Sequence, residues 1–411
     1  MCAADAGARR HAHPLVAPRP SVVGQGVTTD VQLVAGPHGE RRATLAHVRV
    51  FASIAFFGVL PALTLIALFV SAIDEASVAT DFRQFYGAAE AILRGESPYA
   101  ASGEPLTAWG GPFPYPPLAA LLATPLTVLS QQAAGLVVMA VLVVVALATL
   151  RVLGVSDWRC YGLLLLWPPV ISAIQTGNVT LWFGLAAAIT WRYRDRVVPV
   201  AASLGLTLAA KFFLWPLVVW LIATRRMLSA IAASFVGLAV LVVSWGAIGF
   251  AGLADYPGLL RDLEHTVGVD SYTAYVVGLD LGLPSSAARA LWLALGLLVL
   301  AAVVLLGRRG DERAAFIVAI GASLALTPIV WLHYFALLVV VVALAQPRLG
   351  LVWFVPLGMY ITPGSGHPSP FDTAWALAIA LLTVTLALRA SYASGAPRWS
   401  ATRPRTLPRP A

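Results

Sequence analysis

Apolar residues run along this chain in long, uninterrupted stretches. Five of them, near 51–73, 133–153, 228–250, 288–307 and 371–390, each come close to the length one helix needs to cross a hydrocarbon layer. Four others are shorter, at 160–174, 178–191, 334–346 and 349–362. Short apolar helices do not suit a simple lipid-exposed bundle, because their ends leave backbone polar groups in hydrocarbon. They suit half-buried elements around a cavity. The pattern predicts an all-α polytopic membrane protein.

Composition sharpens this. Of 411 residues, 59% are hydrophobic and only 11% charged, which leaves too little polar surface to wrap a water-soluble enzyme of this size. The same figures exclude disorder for most of the chain. Two cysteines, Cys2 and Cys160, cannot build a disulfide framework or a zinc site. Residues 1–49 are rich in Arg, His, Pro and Gly and read as a disordered basic tail, not a cleavable signal, since 51–73 is too long and lacks a small-residue cleavage site behind it. Residues 391–411 read as a second such tail, which leaves 50–390 as the membrane domain.

Charge orients the chain by the positive-inside rule. Basic clusters lie at Arg41, Arg42 and Arg49, at Arg151 and Arg159, at Arg192, Arg194 and Arg196, at Arg225 and Arg226, and at Arg308, Arg309 and Arg313. The two long loops are acidic instead: 74–115 holds six acids against Arg83 and Arg94, and 251–287 holds five against Arg261. Both tails inside a plasma membrane and both acidic loops outside is the simplest assignment. Parity then makes 116–130 a re-entrant or juxtamembrane helix and 197–223 a hairpin turning near Lys211, for about twelve crossings by span length.

Four polar groupings fall on the external side. In the first, Phe82, Phe85, Tyr86, Ala89, Ile92 and Leu93 share one helical face, so 81–94 reads as an amphipathic helix lying in the interface and ended by Gly95. Asp81 at its start is either an N-cap or a carboxylate held at the water–lipid boundary as a general base. In the second, Tyr115-Pro116-Pro117 opens the re-entrant segment, the prolines fixing its direction. In the third, Gln175-Thr176-Gly177-Asn178 has the chemistry of a tight turn, or else Gln175 and Asn178 hydrogen-bond a polar ligand. The fourth pairs Lys211, the only lysine of the chain, with His333. An ionisable group at membrane depth is costly unless paired or hydrated, so a functional role is the default reading and a lipid phosphate would meet its need; the bland alternatives are a snorkelling lysine and a structural histidine.

Taken together, these residues resemble glycosyltransferase family 87, enzymes of the GT-C superfold that use polyprenyl-phosphate sugars. The resemblance rests on Asp81 with Phe85-Tyr86, Gly95, Pro98-Tyr99, Phe113, Tyr115-Pro116-Pro117-Leu118, Gln175-Thr176-Gly177-Asn178, Lys211 with Pro216, and Pro328, Trp331 and His333-Tyr334. It covers roughly 50–390. It implies a multi-span helical enzyme whose first external loop carries the catalytic carboxylate, transferring mannose, or arabinofuranose, to an actinobacterial envelope glycolipid or lipoglycan with inversion. The Ala/Arg/Pro-rich composition fits such a source. In one departure, Asp270-Ser271-Tyr272 stands where relatives often carry an Asn-Gln-Ser type run; Tyr256, Tyr272 and Tyr275 of that loop would suit sugar stacking.

The expected roles are Asp81 as base for the acceptor hydroxyl and Lys211, with Arg83, as the hold on the departing phosphate. His333 would contact that phosphate or tune Asp81, and Gln175, Asn178, Tyr86 and Tyr115 would contact substrate. No cofactor is expected. A divalent ion between Asp81 and Glu90 has only two carboxylates nine residues apart to recommend it. The rival classes are a lipid-linked-sugar transporter, which should show two similar halves where this chain has no repeat, and a non-catalytic envelope scaffold. Nucleic acid is not an expected partner.

Overall fold

The computed structural model describes residues 37–74, 79–100, 113–363 and 368–393. Among them there are helices and turns and no strand. The chain divides into two units, 1–50 and 51–411; the described part of the first is helical, within α1 (Pro37–Ile54). A π-turn at Ala55–Val59 then precedes α2 (Leu60–Asp74), α3 (Thr80–Leu93), α4 (Pro117–Ala123), α5 (Gln131–Val152), α6 (Trp158–Leu164), α7 (Pro168–Thr176), α8 (Thr180–Arg192) and α9 (Val197–Ala210). These are followed by α10 (Pro216–Ala223), α11 (Met227–Ala247), α12 (Tyr256–Val267), α13 (Ala274–Asp280), α14 (Ser285–Arg308), α15 (Glu312–Ala325), α16 (Leu338–Ala345) and α17 (Pro370–Ala393). The two tail assignments fall largely outside the described residues, although α1 and α17 make 37–49 and 391–393 helical; so do Glu75 and Glu104 of the first acidic loop.

Local chemistry sets many of the boundaries. Proline occupies the first turn of α4, α7, α10 and α12, where its missing N–H costs nothing. Side chains of Ser130, Asp157, Thr273 and Asp311 accept backbone N–H groups at the starts of α5, α6, α13 and α15.

Five helical stretches are long and apolar enough to cross a membrane: His47–Ile73, Gln131–Val152, Met227–Ala247, Ser285–Arg308 and Pro370–Ala393. They coincide with the five long runs of the sequence. The pair α7 and α8, bent by 117°, makes a sixth if it counts as one span. The sequence pattern counts about twelve crossings, and helix length does not supply the rest. The other apolar helices run 10–17 residues; the 14-residue α9 rises only about 21 Å, short of the roughly 30 Å hydrocarbon layer.

The short elements form the centre. All eight residues of α16, sequence LVVVVALA, are buried, as expected of a helix apolar on every side, and a 3-10 segment, Leu332–Leu337, leads into it with all six residues buried. The long helices instead present residues such as Phe235, Leu298 and Leu381 on the outer surface, the side for lipid. Where helices break near the core, indole N–H groups take up freed carbonyls: Trp167 to Trp353, Trp292 to Ala325 and Trp375 to Gly358, at 2.9, 2.7 and 2.8 Å.

One expectation is corrected here and a second is refined. The apolar face of α3 is turned to protein: Phe82, Phe85, Tyr86 and Ala89 are buried, with α3 packed on α4, α5 and α7, and Leu93, at the last turn of that face, is 63% exposed. The chain does break at Lys211 and turns back there, since Arg226 beyond α10 bonds Asp195 before α9 at 2.7 Å, but its two arms do not pack closely on each other. Both arms pack on α11, but α9 also packs on α8 while α10 packs on α14 and α15, the extended Lys211 (φ −162°, ψ 127°) holding them apart.

Candidate active site at the start of helix α3

Helix α3 begins with Ala79 in the left-handed region (φ 50°, ψ 55°), and no side chain caps it. Asp81 is therefore not the N-cap. Its carboxylate turns to Asn178 instead, whose Nδ2 donates to Asp81 Oδ2 at 2.6 Å. The elbow between α7 and α8 makes this meeting possible. Gly177 closes α7 at φ 69°, a conformation that favours glycine, and the absence of a side chain lets α3 come close. A Cβ there would stand 2.8 Å from Cβ of Phe82 and 3.1 Å from Cβ of Ala79. The Ala79 N–H also donates to the Gln175 carbonyl at 3.2 Å.

Asn178 is held from behind as well. Its Oδ1 accepts the Thr180 N–H at 2.9 Å and the Thr180 hydroxyl at 2.6 Å. On the other flank of the carboxylate, Nε2 of His333 lies 3.7 Å from Asp81 Oδ2. That nitrogen is buried without a hydrogen-bond partner among the described residues. Oδ1 of Asp81 has none among them either, and the side chain is 25% exposed.

His333 leads on to the lysine. Its ring meets that of Tyr334 edge to face at 4.7 Å, and the Tyr334 hydroxyl accepts a hydrogen bond from Lys211 Nζ. The ammonium also sits 4.4 Å from the Tyr334 ring centre and 4.8 Å from that of Tyr115, within range for cation–π attraction. No carboxylate pairs with Lys211 among the described residues. Tyr115 is fixed through its backbone, its carbonyl accepting the Tyr99 hydroxyl at 3.0 Å while that of Pro114 accepts the Tyr256 hydroxyl at 2.9 Å. Burial, followed by the neighbouring Tyr334 and the Asp81 charge, pushes the Tyr115 phenol well above its ordinary range, so it remains a protonated donor.

Asp81, Tyr115, Asn178, Lys211 and His333, separated by up to 252 positions in the chain, thus meet in one cluster. Among the described residues the other candidates make no side-chain hydrogen bond or ion pair to it. The side chain of Gln175 is exposed and only its carbonyl is engaged. Tyr86 is buried and spends its hydroxyl on the Leu129 carbonyl at 2.8 Å. Arg83 makes no ion pair, and its Nη2 is buried without a partner among the described residues. Glu90 cannot share an ion with Asp81: both lie on the continuous helix α3, where nine residues amount to about 13.5 Å of rise. Among the described residues no three His, Cys, Asp or Glu side chains converge as a metal-binding group.

The sequence includes Tyr334 in the run that carries the resemblance but gives it no role, and it gives Thr180 none. The role of each shows only in space, where the lysine bonds the phenol and the asparagine is bonded by the threonine. In the second long loop, Tyr256 and Tyr272 commit their hydroxyls to the carbonyls of Pro114 and Pro363, and their rings pack on Tyr99 and Trp245 and on Phe335 respectively, so neither offers the stacking surface the loop composition suggests; Tyr275 lies near the Arg289 guanidinium. An apolar cavity of about 350 Å³ lies elsewhere, between α10 and α11, lined by residues such as Val218, Met227 and Phe235.

Residues 113–328 match the model of glycosyltransferase family 87. The chain belongs to that family. Neither a curated protein nor a solved structure matches it. As a family 87 member it is a membrane glycosyltransferase, which takes a sugar from a donor to an acceptor. The matched stretch contains Tyr115, Asn178 and Lys211 but neither Asp81 nor His333; only the fold joins those two to it.

Proposed function

We propose that this family 87 glycosyltransferase moves a sugar, mannose in the first instance, from a polyprenyl-phosphate donor to an envelope glycolipid or lipoglycan on the external face of the plasma membrane. The observation that carries this reading is a carboxylate and an ammonium without a carboxylate partner among the described residues, held in one cluster and joined through His333 and Tyr334. Asp81 Oδ1 takes the proton of the acceptor hydroxyl as that oxygen bonds to the anomeric carbon. The bond from that carbon to the phosphate oxygen breaks, and the phosphate leaves with the electron pair. Lys211, whose polar partner among the described residues is a neutral phenol, meets the developing charge as a positioned cation. His333 stands just beyond hydrogen-bonding distance of Asp81 and tightens toward it as the site fills, as groups in unliganded sites often do. A leaving group that is already an activated phosphate needs no covalent enzyme intermediate, and inversion turns a β-linked donor into an α-linked product. The donor's isoprenoid tail remains in the bilayer, and both termini lie in the cytoplasm.

Two facts support placing the chemistry on the face opposite the arginines. The ion network of Arg194, Arg226, Asp195 and Glu312 sits at the start of α9 and Lys211 at its end, about 21 Å apart along the helix. The arginine-rich end is the cytoplasmic one by the positive-inside rule.

Purified protein supplied separately with radiolabelled polyprenyl-phosphate mannose and polyprenyl-phosphate arabinofuranose, with envelope glycolipid, tests the reading. Mannose transfer is expected, and Asp81→Asn lowers it by about 10² to 10⁴ with donor binding kept. Transfer of arabinofuranose alone corrects the sugar. Transfer of neither, or full activity in Asp81→Asn, refutes the donor class or the base respectively.

A further inference from the structure

We propose that Asn178 is a positioning residue for Asp81 and not a contact to substrate, and that Thr180 locks it in that role. This rests on the reading of Asp81 as the base. Asn178 is 1% exposed and Thr180 is fully buried, so neither offers surface to a sugar. The orientation of the amide follows from its partners. Its oxygen faces two donors, the N–H and the hydroxyl of Thr180, and its nitrogen faces a carboxylate oxygen. The reversed amide would set donor against donor at Thr180 and oxygen against oxygen at Asp81, leaving buried polar groups unmatched on both sides.

The consequence is a choice between the two carboxylate oxygens. Oδ2 of Asp81 is held by Asn178 and flanked by His333. Oδ1 is the oxygen without a partner among the described residues, so the carboxylate plane is fixed with Oδ1 presented to the acceptor. The elbow at Gly177 carries Asn178, and the hydrogen bond from Ala79 to Gln175 ties that elbow to the start of α3. The amide and the carboxylate are therefore registered by backbone, as a base needs when displacements of an ångström are costly.

The test uses the full-length protein in lipid nanodiscs, with whichever of the two polyprenyl-phosphate sugars is transferred, and with active sites counted by polyprenyl-phosphate binding so that misfolded protein drops out. Asn178→Ala is expected to lower kcat about tenfold to a hundredfold with KM for donor and acceptor held within twofold. Thr180→Val, which removes the hydroxyl and keeps the backbone N–H, gives a smaller loss of the same kind, and Thr180→Ser recovers kcat relative to it. A rise in KM with kcat held, or weaker polyprenyl-phosphate binding by Asn178→Ala, makes Asn178 a substrate contact and overturns the proposal. Unchanged kcat overturns it too. Activity surviving in Asp81→Asn is a separate failure, that of the base itself.

Discussion

Replacing Lys211 by Met separates a phosphate-binding lysine from a structural one. Nζ is held by the Tyr334 hydroxyl and by the faces of Tyr115 and Tyr334, with no carboxylate opposite among the described residues. Cation–π contacts of this kind contribute about 0.5–2 kcal/mol each, while an ammonium at membrane depth costs several kcal/mol. Those terms are of similar size, so Met, of nearly the same length and apolar, leaves stability within about 1 kcal/mol. The donor phosphate, by contrast, loses a hydrogen bond to a charged group, about 1.5–3 kcal/mol, or roughly tenfold to 150-fold in affinity. Equilibrium binding of polyprenyl phosphate to purified wild type and Lys211→Met, run beside thermal melting of both, reads the two quantities independently. Affinity within twofold of wild type, accompanied by a clear fall in melting temperature, would refute the reasoning and make Lys211 a part of the scaffold.

Two further substitutions probe how the cluster is held and how the opposite end is stapled. Gly177→Ala forces a Cβ into a left-handed residue and against Phe82 and Ala79; at least about 1–2 kcal/mol of stability is expected to go, with a loss of sugar transfer, whereas unchanged melting and transfer would mean that the elbow is not needed. Glu312→Ala leaves Arg194 without its carboxylate partner and Arg226 with Asp195 alone. Since the arginines are mostly covered but Glu312 is about a third exposed, about 1–3 kcal/mol is expected, between the exposed and buried limits, read as a lower melting temperature with transfer per folded molecule retained.

Some of this protein was legible in its residues one window at a time. A stretch of twenty apolar residues can satisfy its backbone in hydrocarbon only as a helix, so the five long spans follow from local sequence, as do the breaks at Gly95, at Gly177 and before Pro216. The lone lysine and the histidine stood out for the same reason, being the costly residues in apolar surroundings. The periodicity of α3 was legible too, but not its partner: an apolar face looks alike whether lipid or protein covers it, and the fold spends that face on α4, α5 and α7.

What tertiary structure alone decided was which polar groups are already spoken for. Asn178 and Gln175 are equally good hydrogen-bonding residues three positions apart. A left-handed glycine between them turns one amide into the carboxylate and leaves the other exposed. Tyr86, Tyr256 and Tyr272 looked as available as Tyr115 until their hydroxyls were traced to distant carbonyls. Hydrophobic pattern is a property of neighbours in the chain, so sequence determined the spans and the unusual charges; hydrogen-bond satisfaction is a property of neighbours in space, so only the packed helices could bring Asp81, Lys211 and His333 together.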